Sequence, residues 1–504
     1  MPDPTTAPST DTFPGVSRLI LVADEKTPRY SEGDVVQLKD GRLFLAVGRK
    51  AGASDFAAGE IIGMFSSDGG VTWDDEPHLI KKRFNGLVDL MSISFCRSPR
   101  GLHLFFLGRG KDAKGDTQPY QMLSTDEGKT WGEPQRVSLR GGYYVVNNAR
   151  VIRTSKGRML VPAAYVERID KDYDGQSVLV LHSDDDGVTW RESNVLEWDK
   201  ALMEPGVAEC ADGSIYMTIR TAVGVLYEAR SRDGGSTWGD LAPTKLPSPA
   251  APSTVVRAPD SHELWMFWCN NAKGKWKDRS PQMFAASKDH GRTWSEPRLI
   301  ELDPKHSYGY ISFTRVKEQA LLTYYDWTNN GQRDFHLTSL RQRTIPLAWL
   351  RGEVTPPVFR KVGEAKATDV RLDGLVPYED AADSHTPDTR FLGVRVFRRR
   401  GFYLGLLHVL HVKSQTIQPE WAWSHTGDNW SRTHTSCIAF GDEGSFDTRT
   451  ILCGDVTKAA DELICVYRGS NQRHDGFPED NAPAGRATLP LAKLDAWLDS
   501  LPQP

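Results

Sequence analysis

Ionisable and amide side chains stand at the starts of several predicted strands in this 504-residue chain. They are Glu32, Asn147, Asn148, Arg150, Glu204, Ser253, Tyr308 and Tyr310. A carboxylate close to a tyrosine can accept the phenol proton and so create a nucleophile from a group whose pKa is ordinarily about 10. A funnel of such polar strand ends would also suit a carbohydrate. A repeat in the sequence indicates which elements must bring these residues together.

An eight-residue motif, S-x-D-x-G-x-T-W, occurs five times. It lies at residues 66–73, 124–131, 183–190, 231–238 and 287–294, with 48 to 59 residues between successive aspartates. The aspartate can accept hydrogen bonds from backbone amides and the glycine tolerates a positive φ, so each motif predicts a tight turn. Recurrence at this spacing is typical of a repeat architecture. The motifs therefore predict the fold and do not locate the site.

Each motif follows short apolar strands separated by turn residues such as Asp40-Gly41, which is the pattern of a β-propeller blade. A sixth group of three strands, between residues 310 and 341, lacks the motif. Residues 18–22 could supply its fourth strand and so close the ring. We therefore predict an all-β fold with a six-bladed propeller.

The predicted domain organisation has four parts. They are a disordered leader at residues 1–17, the propeller at 18–350, a linker at 351–365 and a C-terminal β module at 366–504. The module has about two blade-like sheets and a short helix near residues 489–501. Its segments Pro419–Ser424 and Gly444–Asp447 resemble the end of the five-bladed propellers of the invertase and arabinanase type.

Composition narrows the classes of partner and location. A net charge of −4 gives no electrostatic case for nucleic acid or anionic membrane, and no run of about 18 apolar residues exists. The N-terminus has neither a basic nor an apolar signal region. Six scattered cysteines without CxxC spacing predict reduced thiols in the cytoplasm, or a secreted form if a leader has been removed. No cofactor or metal is predicted, and the oligomeric state stays open.

Several segments resemble the sialidase superfamily of Asp-box (BNR-repeat) propellers, and the likeness covers about residues 18–345. Residues 203–220, MEPGVAECADGSIYMTIR, resemble the segment with the catalytic glutamate and a substrate-binding arginine, which fall on Glu204 and Arg220. Arg279 resembles another arginine of the carboxylate-binding triad. The segment that begins YISFTR resembles that of the nucleophilic tyrosine, which falls on Tyr310. Asp55 lies close to the place of the acid/base aspartate.

The resemblance implies an exo-acting glycoside hydrolase in which Glu204 activates Tyr310 and Asp55 protonates the leaving oxygen. Sialidases use this tyrosine and glutamate in place of the usual two carboxylates. An aspartic acid is a better proton donor when an apolar setting raises its pKa.

The first arginine of the family's triad is missing, because Glu32-Gly33-Asp34 stands in its place and Arg29 is out of register. A carboxylate there removes a bidentate clamp and repels a substrate carboxylate. This departure favours a neutral or amino sugar, or an anionic sugar held differently by Arg150, Arg220 and Arg279. The predicted substrate-binding residues are Glu32, Asp34, Arg49, Asn147, Asn148, Arg150, Arg220, Arg279 and Tyr308.

Other functions and simpler roles stay open. The same scaffold could carry a lyase that eliminates at a uronate, or a non-catalytic glycan-binding propeller. Glu204 could bond backbone amides, Arg220 and Arg279 could form structural ion pairs, Asp55 could be a solvated surface charge, and Tyr310 could be a packed aromatic with Tyr308 as its rival. His408 and His411 lie on opposite strand faces, which argues against a shared metal. For Trp421 and Trp423, core packing is favoured over sugar stacking.

Overall fold

Strands dominate a computed structural model of the chain, and its helices are short, which confirms the all-β prediction. The structure describes residues 15–112, 114–169, 175–274, 277–303, 305–328, 337–352, 356–376, 389–424, 427, 430–474 and 482–501. The chain divides into two compact units, of which one spans Ser17–Ile345 and the other includes Pro346–Pro504. No helix in the described part of the chain is long and apolar enough to cross a membrane.

The first unit is built from short strands that follow one another closely in the sequence. They are β1 (Val16–Leu21), β2 (Arg29–Gln37), β3 (Leu43–Lys50), β4 (Gly59–Ser66), β5 (His78–Lys81), β6 (Asp89–Ser98), β7 (Gly101–Arg109), β8 (Asp116–Ser124), β9 (Gln135–Arg136), β10 (Gly142–Val145), β11 (Ile152–Arg153), β12 (Met159–Val166), β13 (Ser177–Ser183), β14 (Arg191–Glu192), β15 (Met203–Glu209), β16 (Ile215–Arg220), β17 (Val225–Ser231), β18 (Gly239–Pro247), β19 (Thr254–Arg257), β20 (Leu264–Cys269), β21 (Gln282–Ser287), β22 (Arg298–Glu301), β23 (His306–Val316), β24 (Gln319–Thr328) and β25 (Thr338–Pro346).

Strands that are neighbours in the sequence pair into antiparallel meanders. The meanders are β2–β5, β6–β9, β10 with β12–β14, β15–β18, β19–β22 and β23–β25. Strand β1 pairs with β25, as predicted for the N-terminal strand, although it begins at Val16 within the predicted leader. Residues 1–14 of that leader lie outside the described residues. Parallel pairs join some meanders into larger sheets, and among the described residues no sheet closes on itself. The count of six blades therefore stays a prediction.

The repeated motif forms the predicted turn at all five places. In the first, Asp68 Oδ1 accepts the backbone N–H of Thr72 at 2.8 Å and Oδ2 accepts the Thr72 hydroxyl at 2.6 Å. Ser66 Oγ donates to Asp68 and accepts the N–H of Gly70, which has φ 87°. The same bonds recur around Asp126, Asp185, Asp233 and Asp289. The serine and aspartate of each motif therefore bond within its own turn, while Trp73 Nε1 and the Gly70 carbonyl of the first motif also bond to Gln342.

A second repeated feature is a β-bulge in the first strand of four meanders. The register shifts between Ser31 and Asp34 in β2, Met91 and Ser94 in β6, Met203 and Gly206 in β15, and Gly309 and Ser312 in β23. Each shift contains one residue with positive φ, namely Glu32 (60°), Ser92 (58°), Glu204 (42°) and Tyr310 (60°). Bulges re-aim side chains, and this conformation is costly for residues other than glycine. Four equivalent strand starts therefore share one strained conformation.

The second unit contains the remaining strands of the described part of the chain, two α-helices and a 3-10 helix at Ala367–Asp369. They are α1 (Leu347–Leu350), β26 (Arg360–Ala365), β27 (Thr389–Arg399), β28 (Phe402–His411), β29 (Thr416–Ser424), β30 (Ser431–Ser436), β31 (Thr450–Ala459), β32 (Glu462–Ser470), β33 (Ala484–Pro490) and α2 (Leu491–Ser500). Strands β27–β30 form one meander, and β31–β33 with β26 form another. The linker prediction is wrong for β26, because this strand pairs with β33. The resemblance to five-bladed propellers stays a prediction.

Aromatic and thiol side chains of the second unit are packed in its interior. Trp421 is fully buried and donates from Nε1 to the Pro357 carbonyl at 2.7 Å, and Trp423 belongs to the same hydrophobic core, as predicted. His408 is also fully buried, and its Nε2 accepts the N–H of Cys453 at 2.8 Å. All six cysteines of the chain lie among the described residues, buried and without disulfides.

Asp34 connects three strands of the first unit from a buried position. Its Oδ2 accepts the N–H of Phe95 on β6 at 2.7 Å, while Oδ1 accepts the Ser312 hydroxyl on β23 at 2.5 Å and the N–H of Val35 at 2.9 Å. Burial raises the pKa of Asp34 to about 6, although these hydrogen bonds oppose the rise. The carboxyl therefore holds β2, β6 and β23 together just beyond their bulges.

Replacing Asp34 by asparagine tests this connection. Asp34→Asn directs an amide nitrogen at a donor, so we expect the free energy of unfolding in urea to fall by about 1–3 kcal/mol. The folded-state pKa lies above the unfolded value, so the contribution of Asp34 is complete below pH ~4 and is lost as the pH rises through about 6. The deficit of the variant should therefore be larger at pH 4.5 than at pH 8. Asp75→Asn, at an exposed aspartate, is the control, and an equal effect of both changes would contradict the role.

Candidate active site

A cavity of about 540 Å³ in the first unit gathers most of the predicted site residues. Seven of them line it, namely Glu32, Asp55, Asn147, Glu204, Arg220, Arg279 and Tyr310. Three of these stand at the repeated bulges. The volume lies within the range of small-molecule binding sites. The strained bulge conformation and the polar cavity thus coincide, which is typical of functional sites.

The phenol and the carboxylate predicted to act together are in direct contact. Tyr310 Oη donates to Glu204 Oε1 at 3.0 Å, and Arg220 donates to Glu204 Oε2 at 2.5 Å. The Glu204 and Arg220 side chains are 11% and 13% exposed, so the ion pair is largely shielded from water. Arg220 reaches Glu204 because Met203 and Arg220 are partners in the β15–β16 register. One carboxylate oxygen is therefore held by the arginine while the other accepts the phenol proton.

Arg279 adds positive charge on the other side of Tyr310. Its guanidinium carbon lies 5.5 Å from the centre of the Tyr310 ring, and it donates to the hydroxyl of Tyr325. Burial alone would raise the pKa of Glu204, but the charges of Arg220 and Arg279 lower it below its ordinary value. Burial and the charge of Glu204 raise the pKa of Tyr310 well above 10. The resting pair is therefore a neutral phenol bonded to a carboxylate.

Asp55 lines the cavity as an ionised carboxylate. Its Oδ1 lies 2.5 Å from Nη1 of Arg29, which is 3% exposed, whereas the Asp55 side chain is 45% exposed. Partial burial opposes ionisation, but the charges of Arg29 and Lys50 lower the pKa of Asp55 to about 2. Arg29, which is out of register with the family's first arginine, therefore influences the cavity by pairing with Asp55 and keeping it ionised.

The loop that carries Asp55 is tied down at its backbone. Lys50 Nζ donates to the Asp55 carbonyl at 2.8 Å, and Arg109 donates to the same oxygen. Lys50 is 1% exposed and also forms a 2.8 Å ion pair with buried Asp89. Buried charges are stable only when paired, so this network fixes the carbonyl of Asp55 while its carboxylate stays accessible.

Glu32 directs a third carboxyl into the cavity, 8% exposed. It accepts a hydrogen bond from the hydroxyl of Ser92, at the equivalent bulge of the next meander. Burial raises the pKa of Glu32, and the charge of Glu204 adds to the rise, although Ser92 and Arg29 oppose it. Asn147 also lines the cavity, and its buried Nδ2 has no hydrogen-bond acceptor among the described residues.

Two other predicted residues turn away from the cavity. Arg150 is 2% exposed, and its guanidinium donates to the carbonyls of Asn148 and Ser253 and to the Thr254 hydroxyl. Asn148 donates from Nδ2 to the Tyr310 carbonyl at 2.8 Å and to another backbone carbonyl. The structure gives both residues a role in joining strands, and neither lines the cavity.

Three further predicted substrate contacts also lie elsewhere. Asp34 is the buried strand connector described above, and Arg49 pairs with Glu60 at 2.6 Å. Tyr308 is 3% exposed and lies against His306, with ring centres 6.0 Å apart. The rival nucleophile is therefore not a lining residue, because the bulge between residues 309 and 312 separates its side from that of Tyr310.

The sequence prediction missed part of the lining. The missed polar residues are Ser92, Arg109 and Gln176, and the missed apolar wall is made by Met91, Leu107, Tyr143, Tyr144, Val145 and Met203. Ser92 could have been found, because it stands eight residues before Arg100-Gly101 as Glu32 stands eight before Asp40-Gly41. The apolar wall carries no comparable signal, since its residues belong to types that usually form the core.

Comparison with known proteins identifies the fold. Residues 93–322 match a family model described as a BNR repeat-like domain. A sialidase of Bacteroides fragilis is 25% identical over 230 residues, which cover 43% of this chain and 41% of that protein. A sialidase of Micromonospora viridifaciens is 23% identical over 365 residues, which cover 66% of this chain and 54% of that protein. The chain thus spans about half the length of the curated relatives it matches.

A solved structure is similar to about two thirds of the chain. A Hadza microbial sialidase superposes with a TM-score of 0.55 and 18% identity, over 66% of this chain and 69% of that one. At this identity the likeness shows the fold alone.

The Glu204–Arg220 pair makes a testable contribution to stability. In Arg220→Met the carboxylate loses its ion pair, so we expect the free energy of unfolding to fall by about 3 kcal/mol at pH 8. The folded-state pKa of Glu204 is lowered. The ion pair therefore contributes its full stabilisation above the unfolded pKa of about 4.3, and this stabilisation is lost as the pH falls through the folded-state pKa. In the variant, burial favours protonation of Glu204, so the deficit should shrink at pH 5.

Two controls accompany the measurement of this pair by urea unfolding. Arg220→Lys keeps the charge and should lose less stability than Arg220→Met. Arg136→Met changes an exposed arginine of β9 and should have little effect. A deficit of Arg220→Met that does not change between pH 8 and pH 5 would show that Glu204 is not the group it stabilises.

Proposed function

We propose that this chain, which has the fold of the sialidase superfamily, is an exo-acting glycoside hydrolase with a tyrosine nucleophile. The observation that carries the proposal is the 3.0 Å hydrogen bond from Tyr310 to Glu204 within the cavity. A phenol with a raised pKa is a poor nucleophile unless its proton can leave as it attacks. Glu204, ionised and held by Arg220, is placed to accept that proton.

In the first step, Tyr310 Oη bonds to the anomeric carbon while its proton passes to Glu204 Oε1. The bond from that carbon to the leaving oxygen breaks, and Asp55 gives the oxygen a proton. Asp55 must therefore be protonated beforehand, which requires that the bound substrate weakens its 2.5 Å contact with Arg29. In the second step, water attacks the same carbon and gives a proton to Asp55, the bond from that carbon to Tyr310 Oη breaks, and Tyr310 regains its proton from Glu204.

The proposed substrate is not an ordinary sialoside. Glu32 lines the cavity where the family resemblance places an arginine, and a carboxyl there cannot form the bidentate contact that an arginine makes with a carboxylate. A cavity of about 540 Å³ supports action on one terminal sugar. We also propose that the meanders of the first unit form six blades, and a cytoplasmic location stays a prediction.

A turnover screen tests the proposal directly. Wild-type protein, Tyr310→Phe and Glu204→Gln would be assayed on aryl glycosides of neutral sugars, amino sugars, a uronate and sialic acid. We expect cleavage of at least one sugar, with a loss of about 10²–10⁴-fold in kcat/KM for Glu204→Gln and at least as great a loss for Tyr310→Phe. Tyr308→Phe, on the same strand and outside the lining, is the matched control and should keep its activity.

The outcomes separate the possible functions. Hydrolysis that survives in Tyr310→Phe would keep the enzyme class and remove the proposed nucleophile. A product that absorbs in the ultraviolet would indicate an unsaturated uronate and hence a lyase. Glycan binding without turnover, unchanged in Glu204→Gln, would indicate a binding module.

A further inference from the structure

The cavity contains equal numbers of basic and acidic side chains. Its lining has three arginines and three carboxyl groups, namely Arg109, Arg220 and Arg279, and Glu32, Asp55 and Glu204. An anionic sugar would need a surplus of positive charge or an arginine directed at its carboxylate. The contacts of each arginine therefore decide whether such a sugar can be held.

Each lining arginine is engaged with the protein. Arg220 is bonded to Glu204, Arg279 to the Tyr325 hydroxyl, and Arg109 to the Asp55 carbonyl. Two arginines near the cavity are engaged as well. Arg29 pairs with Asp55, and Arg150 donates to backbone carbonyls. A substrate carboxylate would have to share one of these guanidinium groups with a protein partner, through a remaining N–H such as Arg220 Nε, which has no acceptor among the described residues.

Glu32 differs from the other two lining carboxyls in its partner. Asp55 and Glu204 are each bonded to an arginine, whereas the hydrogen bond to Glu32 comes from the neutral hydroxyl of Ser92. The ionisable groups that act on Glu32 are Arg29, Lys50, Arg150, Glu204 and Tyr310. Its backbone is held at φ 60° by the bulge, so its side chain is directed into the cavity at a conformational cost.

We infer that Glu32 selects a glycosyl group that presents a hydroxyl or ammonium donor to it and carries no carboxylate at that position. This inference rests on the proposed function and specifies its substrate class. A hydroxyl donates one hydrogen bond to the carboxyl, and an ammonium adds a charge that the cavity can neutralise. A substrate carboxylate at this position would face Glu32, and every lining arginine already has a protein partner. Unpaired buried charge is strongly disfavoured.

Asn147 complements Glu32 in the same cavity. Its side-chain amide is 1% exposed, and its Nδ2 has no acceptor among the described residues. A buried donor without an acceptor costs free energy, which a sugar oxygen would recover. The cavity therefore offers an acceptor at Glu32 and a donor at Asn147, which matches the hydroxyl groups of an uncharged sugar.

Binding to the inactive Tyr310→Phe protein tests the inference without turnover. Calorimetric titration would compare methyl sialoside with its methyl ester, and an amino-sugar glycoside and a neutral glycoside with the corresponding uronide. We expect each carboxylate-free ligand to bind at least about tenfold more tightly than its carboxylate counterpart. Adding Glu32→Gln should reduce that preference, and Glu32→Arg should reverse it for the sialoside pair.

Glu60→Gln is the matched control, because Glu60 lies on strand β4 of the same sheet, pairs with Arg49 and is outside the lining. The same preference in wild type and Glu32→Gln would overturn the inference, as would tighter binding of the carboxylates. Failure of every carboxylate-free ligand to bind would overturn it too. If the binding preference depends on Glu32 but the wild-type protein cleaves none of the glycosides, the proposed hydrolase is refuted and the assignment of Glu32 is kept.

Discussion

The site depends on a backbone constraint that recurs at the starts of four strands. A regular strand alternates its side chains between two faces, so residues two apart share a face. The bulges at Glu32, Ser92, Glu204 and Tyr310 interrupt that alternation with one residue of positive φ each. Each such residue costs on the order of 1–3 kcal/mol, which the surrounding sheets must offset. The same local distortion, repeated in four meanders, brings side chains far apart in sequence into one cavity.

Those sheets hold the strained positions through buried polar connections. Asp34 bonds to Phe95 and Ser312, and Asn148 bonds to the Tyr310 carbonyl, so each connection begins on one bulged strand or loop and ends on another. Arg150 does the same through Thr254 and backbone carbonyls. These residues lie one to three positions from cavity residues. They fix the strands and loops that carry the cavity residues, and they do not line the cavity themselves.

The sequence could predict the turns and the central pair because their signals are local or carried by resemblance. The motif contains the serine, aspartate, glycine and threonine that bond to one another in the turn, so five copies predict five turns. Glu204, Arg220 and Tyr310 were predicted from matching segments, and the structure brings them together.

The errors came from treating a polar strand start as a cavity residue. Asp34 and Tyr308 are within two residues of a bulge, and a register shift of one position decides which face a side chain takes. No composition signal reveals that shift. The apolar wall at Tyr143 and Val145 was missed for a different reason, since apolar lining and apolar core have the same residue types.

The electrostatics of the three lining carboxyls follow from their partners more than from their burial. Asp55 is the most exposed of them, and the charge of Arg29 lowers its pKa further, to about 2. Glu32 is buried beside a neutral hydroxyl, and its pKa is raised. Groups whose environments separate their pKa values can take different chemical parts in one reaction. An acid role for Asp55 therefore requires that the ligand change the Arg29 contact, so proton delivery in this cavity must be coupled to substrate binding.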